Sequence, residues 1–228
     1  MSLSHSGYYD EAALEQAVTD GRHREMIGGL WDEIGTHQLA YLTQRGMTPQ
    51  SRLLDVGCGS LRLGARAIAL LDAERYFGTD LSRALIEAGR ARELDDSLRA
   101  KAPESHFHVG GDFAFAFLGG QRMDFAIAQS VFTHLPLNHL RRCLARLRPV
   151  MAPGGQFLVT YFDCPEDADL FAPLTHPRGG IVTHDYQDPY HYRLADLAWV
   201  ADQTGWRLEP VGDWGHPRSQ SMAVFHPA

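Results

Sequence analysis

The feature that most constrains this chain is a regular alternation, between residues 52 and 162, of short apolar runs with longer segments of helical period. The strand-like runs are RLLDV (52–56), ERYFGT (74–79), SHFHV (105–109), DFAIA (124–128) and GQFLVTYF (155–162). Residues 62–71, 82–99 and 137–148 lie between them and carry the period of helices. Strands that alternate with helices predict βαβ units on a parallel sheet, and the right-handed crossover places helices on both of its faces. A further helix is predicted over 29–45, with Leu30, Ile34 and Tyr41 on one stripe and Gly46 as its stop. After residue 163 the pattern changes: 163–192 is rich in Pro, Gly, His and Tyr and has no clean period. A last helix over 193–204 ends at Gly205, and the runs 206–212 and 219–226 form an antiparallel hairpin.

Composition narrows the functional classes. Hydrophobic residues make up 44% and charged residues 21%, an ordinary globular balance that argues against disorder. No apolar run approaches the ~18 residues needed to cross a bilayer. The leader MSLSHSGYYDEAA lacks the charged start and apolar stretch of a signal peptide. Cys58, Cys143 and Cys164 are an odd set without metal-like spacing and suit a reducing compartment, so a cytoplasmic location is expected. The net charge of −7 disfavours a nucleic-acid partner. The one basic cluster, Arg141, Arg142, Arg146 and Arg148, reads as one face of an amphipathic helix.

The most informative segment is LLDVGCGSLRLG, residues 53–64. A buried strand enters a glycine turn, and the turn opens a helix whose unpaired N–H groups and positive dipole end favour a bound ligand. In a dinucleotide-binding turn of the form G-x-G-x-x-G, counting from Gly57 puts the third glycine at residue 62, which is Arg62. That bulky side chain counts against a nicotinamide-dependent reductase. Asp80, at the end of the second strand, suits either ligand, since both carry a ribose diol.

With these residues the chain resembles the class I S-adenosylmethionine-dependent methyltransferases, most clearly over 50–163. The resemblance implies an α/β, Rossmann-like three-layer sandwich with a mostly parallel seven-stranded sheet closed by a C-terminal antiparallel hairpin. It implies S-adenosylmethionine as cofactor, with Asp55, Gly57, Cys58 and Gly59 forming the first motif and the glycine backbone lining the methionine part. It assigns Asp80, with Leu81 beside it, to the ribose hydroxyls, Asp112 to the adenine amino group and Phe113 to the base. Gln129 and Ser130 would face the sulfonium side. The Ala152-Pro153-Gly154-Gly155 turn matches a further recurrent feature. One departure stands out: many members carry glycine where this chain has Leu61.

Each residue also has a structural reading: Asp55 as a strand-end carboxylate, Asp80 as a helix cap, Asp112 as a turn aspartate, Cys58 as a small side chain that fits the turn, and His134 as a hydrogen-bonding core histidine.

Because the methyl donor is already activated, the protein's main task is to orient the acceptor, and a base is needed only where the acceptor must lose a proton. Ligands of open α/β sheets bind beyond the carboxyl ends of the strands. The acceptor side is therefore expected in the N-terminal segment, the loop after the fourth strand and residues 163–192. Candidates for orientation or base chemistry are His134, His184, Tyr186, His191 and Tyr192, and a surface loop packed by its own tyrosines is the alternative. No metal is expected, since no ligand motif is present. The Asp188-Pro189-Tyr190 triplet has a counterpart in amino-methylating nucleic-acid enzymes, but theirs directly follows the fourth strand, where this chain reads QSVF. Gly28 and Gly29, ahead of Leu30 and Trp31, suggest either a lid hinge or a helix covering one sheet face.

The expected organisation is a single domain over 1–228: a helical cap (1–49), a cofactor-binding core (50–163), an acceptor-side insertion (164–192) and a closing helix and hairpin (193–228). The expected activity is methyl transfer to a small molecule. The alternatives are a non-catalytic S-adenosylmethionine-binding sensor or scaffold and, less favoured, an NAD(P)-dependent reductase.

Overall fold

The computed structural model describes residues 10–228, and the reading of the leader before Asp10 lies outside the described residues. Contacts divide the chain into two compact units, one extending to Ala126 and the other from Ile127 onward.

The first unit contains three helices, α1 (Glu11–Thr19), α2 (His23–Met26) and α3 (Trp31–Gln44), before the first strand. Asp10 caps α1 by accepting from the Ala13 N–H. Gly46, at φ +101°, follows the end of α3 as its sequence position predicts. Then come β1 (Leu53–Val56), α4 (Gly64–Leu70), β2 (Tyr76–Asp80), α5 (Arg83–Arg92), α6 (Asp96–Lys101) and β3 (Phe107–Val109). The single helix expected over 82–99 is two. Asp95 accepts from the Leu98 N–H and starts α6 afresh after α5 has ended at Glu93. Strands β1 and β2 pair in parallel, Leu53 opposite Tyr76, and β2 pairs in parallel with β3. All four residues of β1 are buried, as expected of a parallel strand covered on both faces.

The boundary falls inside β4 (Met123–Ala128), so the strand order reads β3-β2-β1-β4 on one side and β4-β5-β10-β9 on the other. The second unit continues with α7 (Leu137–Leu147), β5 (Met151–Asp163), α8 (Leu194–Thr204), β9 (Trp206–Asp213) and β10 (Ser221–Pro227). Strand β5 begins earlier than its apolar run and includes the Pro153-Gly154 step, where Gly154 adopts φ +77°. Strand β10 runs antiparallel to both β5 and β9, which makes the sheet mixed: parallel at its centre and closed by a hairpin. Phe157, Leu158, Val224 and Phe225 form the core of this side. Gly205 ends α8 in the left-handed region, at φ +73°.

The aperiodic segment is not a bare loop. Two short strands, β6 (Leu174–Thr175) and β7 (Val182–Thr183), pair with each other, and β8 (His191–Tyr192) adds to the carboxyl end of β5. Two-residue strands leave no period in a sequence, which is why they escape a pattern reading. Among the described residues no helix is long and apolar enough to cross a membrane.

Candidate functional site

The turn after β1 is held by the end of β2. The Gly57 and Cys58 N–H groups both donate to the Thr79 carbonyl, at 2.7 and 3.1 Å. The Gly59 N–H donates to Asp80 Oδ2 at 2.8 Å, while Asp80 Oδ1 accepts from the Ser82 N–H at 2.9 Å. Ser82, rather than Asp80, caps α5, by accepting from the Leu85 N–H. Burial pushes the Asp80 carboxyl above its ordinary pKa, against the pull of the N–H groups of Ser82, Gly59 and Leu81. Gly57 and Gly59 adopt φ +77° and +51°, a region that favours glycine.

Cys58 is buried against β2, where a Cβ placed on Gly78 would meet its sulfur at 3.0 Å. Burial and the neighbouring carboxylates raise the pKa of its thiol well above the ordinary value. Asp55 lies beneath the turn and accepts from the Tyr76 hydroxyl at 2.8 Å. Burial raises its pKa to about 7. Both carboxylates at the turn, Asp55 and Asp80, are thus committed to donors of the same unit.

Leu61, where glycine is common, still adopts the left-handed φ of +67° and is fully buried. The room for its side chain comes from two glycines on neighbouring helices. A Cβ on Gly64 would lie 3.0 Å from Leu61 Cβ, and one on Gly89 would lie 2.8 Å from Leu61 Cγ and 2.5 Å from the Ser60 carbonyl oxygen. The chain keeps the backbone shape of the turn and moves the glycine requirement to α4 and α5.

Leu81 is a large apolar side chain left 41% exposed immediately after the Asp80 carboxylate. It lies against Gly111, where a Cβ would meet Leu81 Cδ1 at 3.2 Å. Asp112 is exposed and accepts from the Ala114 N–H at 3.1 Å, and Phe113 beside it is buried at φ +57°.

The segment between α2 and α3 covers this turn. Ile27 reaches Gly59 so closely that a Cβ there would lie 2.7 Å from Ile27 Cγ2. Arg62 is buried and donates to the carbonyls of Ile27 and Gly29 at 3.1 and 2.9 Å, and the Ser60 hydroxyl donates to the His23 carbonyl. Gly28, Gly29 and Leu30 all have positive φ, so three consecutive left-handed residues carry the chain over the turn into α3. The sequence shows that Arg62 is not glycine; it does not show that this side chain anchors the N-terminal segment, since that link joins residues more than 30 positions apart.

In the second unit, Gln129 and Ser130 follow the carboxyl end of β4 and enter a buried polar network. The Gln129 side-chain nitrogen lies 3.1, 3.0 and 3.1 Å from Ser130 Oγ, His216 Nε2 and Gln220 Oε1. The Ser130 N–H donates to Thr160 Oγ1 at 2.8 Å, and its hydroxyl to Gln220 Oε1. The contribution of His216 and Gln220, from the loop of the closing hairpin, has no signal in sequence.

The histidine-rich segment is largely occupied with its own packing. His191 Nε2 donates to the Leu170 carbonyl at 2.9 Å, so its Nδ1 accepts from the Thr183 hydroxyl at 2.8 Å, and His176 Nε2 donates to Thr183 Oγ1 at 2.9 Å. Burial lowers the His176 pKa to about 4. Tyr192 is buried, donates its hydroxyl to the Leu135 carbonyl at 2.7 Å and has its pKa raised by burial. His184 meets Tyr186 edge-on, and the Tyr186 ring is 60% exposed. His134 stands apart: its Nδ1 lies 2.6 Å from Asp188 Oδ1. The backbone on both sides of His134 is held too, by the Tyr190 N–H on the Thr133 carbonyl and the Tyr192 hydroxyl on the Leu135 carbonyl.

A parallel sheet closed by an antiparallel hairpin, with a glycine turn after β1 tied to an acidic residue ending β2, is a Rossmann-like architecture of the kind class I methyltransferases have. Residues 54–157 match the family model described as a methyltransferase domain. A malonyl-[acyl-carrier protein] O-methyltransferase of Chlorobium luteolum is 30% identical over 124 residues, which are 54% of this chain and 44% of that protein. The chain thus spans less than half the length of this curated relative. The fold also matches a magnesium protoporphyrin IX methyltransferase from Synechocystis PCC 6803 with bound S-adenosylmethionine, at TM-score 0.62 and 14% identity over 99% of this chain and 100% of that one. A glycopeptide N-methyltransferase complexed with S-adenosylmethionine matches at TM-score 0.61 and 17% identity over 85% of this chain and 94% of that one. Residues 54–157 thus match a methyltransferase domain, and the chain has the fold of these methyltransferase structures.

Proposed function

We propose that the protein transfers a methyl group from S-adenosylmethionine to a small-molecule acceptor. The observation that carries this reading is the Asp80 carboxylate, fixed at the end of β2 by the N–H groups of Gly59 and Ser82, with the exposed Leu81 side chain next to it. A carboxylate suits a ribose diol, an apolar side chain suits the face of an adenine ring, and a glycine turn lets backbone approach the amino-acid end. The residues therefore fit the cofactor: Asp80 for the ribose, Leu81 with Phe113 and Asp112 for the base, and the Gly57–Gly59 backbone for the methionine part.

When bound, the cofactor supplies a methyl group on a sulfonium centre, so the protein's part is orientation and exclusion of water. The Ile27–Leu30 segment, held by Arg62 over the glycine turn, suits water exclusion. A small-molecule acceptor accords with the net charge of −7, which offers no basic field to a phosphate backbone.

The test is a screen of small hydroxyl, amine and carboxyl compounds for acceptor-dependent release of S-adenosylhomocysteine. Turnover of at least one compound is expected. Cofactor binding without turnover across the screen would favour a non-catalytic sensor.

A further inference from the structure

We propose that the groove between α5 and β3 binds a small carboxylic acid with an apolar body, at a site apart from the glycine turn. The groove has a volume of about 600 Å³, a size suited to a small molecule, and its lining comes from α5, α6, β3 and Glu104, all in the first unit. Buried Ile86 and half-buried Phe107 and Val109 form an apolar wall. Strand β3 is the last of its sheet among the described residues, so the wall lies at an open edge. The break between α5 and α6 shapes one end. Because α6 starts afresh, Arg99 turns back, its Nη1 donating to the Arg90 and Leu94 carbonyls while its Nη2 pairs with Asp96.

The charged groups of the groove differ in what they meet. Arg83 has Glu87 at 3.7 Å on its own helix, and Arg99 has Asp96. The Arg90 side chain has one hydrogen bond among the described residues, from Nη1 to the Ala102 carbonyl at 2.7 Å, and its guanidinium lies 4.7 Å from the centre of the Phe107 ring. Its Nε–H and Nη2–H are unspent, and together they form the side-on fork that takes a carboxylate through two parallel bonds. Arg24 uses that fork on Glu93 in the same unit, at 2.8 and 2.6 Å. Glu104 acts on Arg90 only from beyond ion-pair distance. Burial lowers the Arg90 pKa; Glu104 opposes the fall and Arg99 adds to it. A half-buried cation beside another is stabilised by an anion of its own, and the apolar wall takes the rest of the ligand. The acid group is a monoanion, since the second charge of a phosphate monoester would face Glu104. Arg83 and Arg90 stand two turns apart on α5, ~10 Å, which sets the length of the body. Charges beside an edge strand also deter strand pairing, but that role requires neither a cavity nor an unspent fork. The lining includes none of Asp80, Leu81, Asp112 or the glycine turn, so this ligand is additional to the cofactor and the inference stands without the methyl-transfer reading.

The test is a titration of nitrogen-15-labelled protein with hydrocinnamate at neutral pH, followed through the Arg90 Nε–H signal and the Phe107 and Val109 amides. Saturable shifts are expected, with a Kd below about 1 mM. Hydrocinnamyl alcohol, which has the body without the charge, and hydrocinnamyl phosphate, which has the body with a dianion, should each bind about tenfold more weakly or worse. Arg90→Lys keeps the charge and loses the fork, so hydrocinnamate affinity should fall about tenfold or more, with the fold retained by circular dichroism. Glu104→Gln, at an exposed side chain, removes the competing carboxylate and should tighten binding about threefold; it decides the matter if Arg90→Lys does not fold. S-adenosylhomocysteine should not displace the acid. No saturable shift at these residues, equal binding of the alcohol, tighter binding of the phosphate, or displacement by S-adenosylhomocysteine overturns the proposal. So does unchanged affinity in a folded Arg90→Lys, or affinity no higher in Glu104→Gln.

Discussion

The turn after β1 and the segment between β5 and α8 are both dense in polar groups, and they use those groups differently. Around the turn, the side chains of Asp80, Ser60 and Arg62 bond to backbone, and each bond fixes a stretch of main chain at or over the glycine turn. Between β5 and α8, His176, Thr183 and His191 bond to one another, in a buried chain that ends on the Leu170 carbonyl. The first arrangement fixes the backbone of a glycine turn against one carboxylate at a strand end; the second holds together a segment that has only two-residue strands. A high local count of histidines and tyrosines is therefore a poor guide to chemistry. What distinguishes His134 is a carboxylate partner, Asp188.

Four outcomes would break or sharpen this contrast. The largest concerns the turn. Asp80→Ala removes the acceptor for the Gly59 and Ser82 N–H groups and the proposed ribose contact, at about 1.5–3 kcal/mol for each charged hydrogen bond. Calorimetry should show S-adenosylmethionine affinity falling on the order of a thousandfold, with the fold retained by circular dichroism. Unchanged affinity would break the assignment of the turn.

Next is Leu61. Leu61→Ala should cost about 3 kcal/mol in urea unfolding, through lost burial against Gly64 and Gly89. Leu61→Gly should cost no more than Leu61→Ala, because glycine escapes a left-handed strain of about 1–2 kcal/mol. The usual order, with glycine the worse of the two, would contradict a strained turn.

Thr183→Val tests the other region. It leaves His176 Nε2 and His191 Nδ1 without their common partner, at a cost of about 2 kcal/mol in the same unfolding assay. Cofactor affinity should not change; a large loss of affinity would erase the distinction between the two regions.

The last outcome is in the pH dependence, where the regions have opposite signs. Asp55 has its carboxyl pKa raised to about 7, so the folded state holds a proton that the unfolded state has lost. Its share of stability falls as pH rises from about 4 to about 7 and is flat above. His176, lowered to about 4, does the reverse: its share is complete above the ordinary histidine pKa and is lost as pH falls toward 4. Asp55→Asn should make stability rise more steeply from pH 4 to 7, and His176→Gln should flatten it, each by no more than about 1.4 kcal/mol per pH unit. Thermal unfolding across that range decides it, and changes of slope of the same sign in both variants would refute the assignment.

The sequence reveals the scaffold where burial leaves a pattern. Strands β1, β2 and β4 appear as apolar runs, and α3 and α8 end at Gly46 and Gly205 because those positions take left-handed backbone. Helix α1 has a weaker signal: only Leu14 and Ala17 are buried, so its apolar stripe is narrow. The glycine turn is visible because its shape demands particular residues at adjacent positions. Arg62 holding the Ile27–Gly29 carbonyls, Gly89 making room for Leu61, and Asp188 meeting His134 are contacts between distant positions, and no local spacing encodes them.

The most direct measurement is a calorimetric titration of the protein with S-adenosylmethionine, S-adenosylhomocysteine and NADH in parallel. The structure predicts that both sulfur ligands bind and that NADH does not, since Arg62 stands where a dinucleotide turn needs glycine. Well-folded protein that binds neither sulfur ligand would contradict the central claim, and binding of NADH in their place would return the reductase reading.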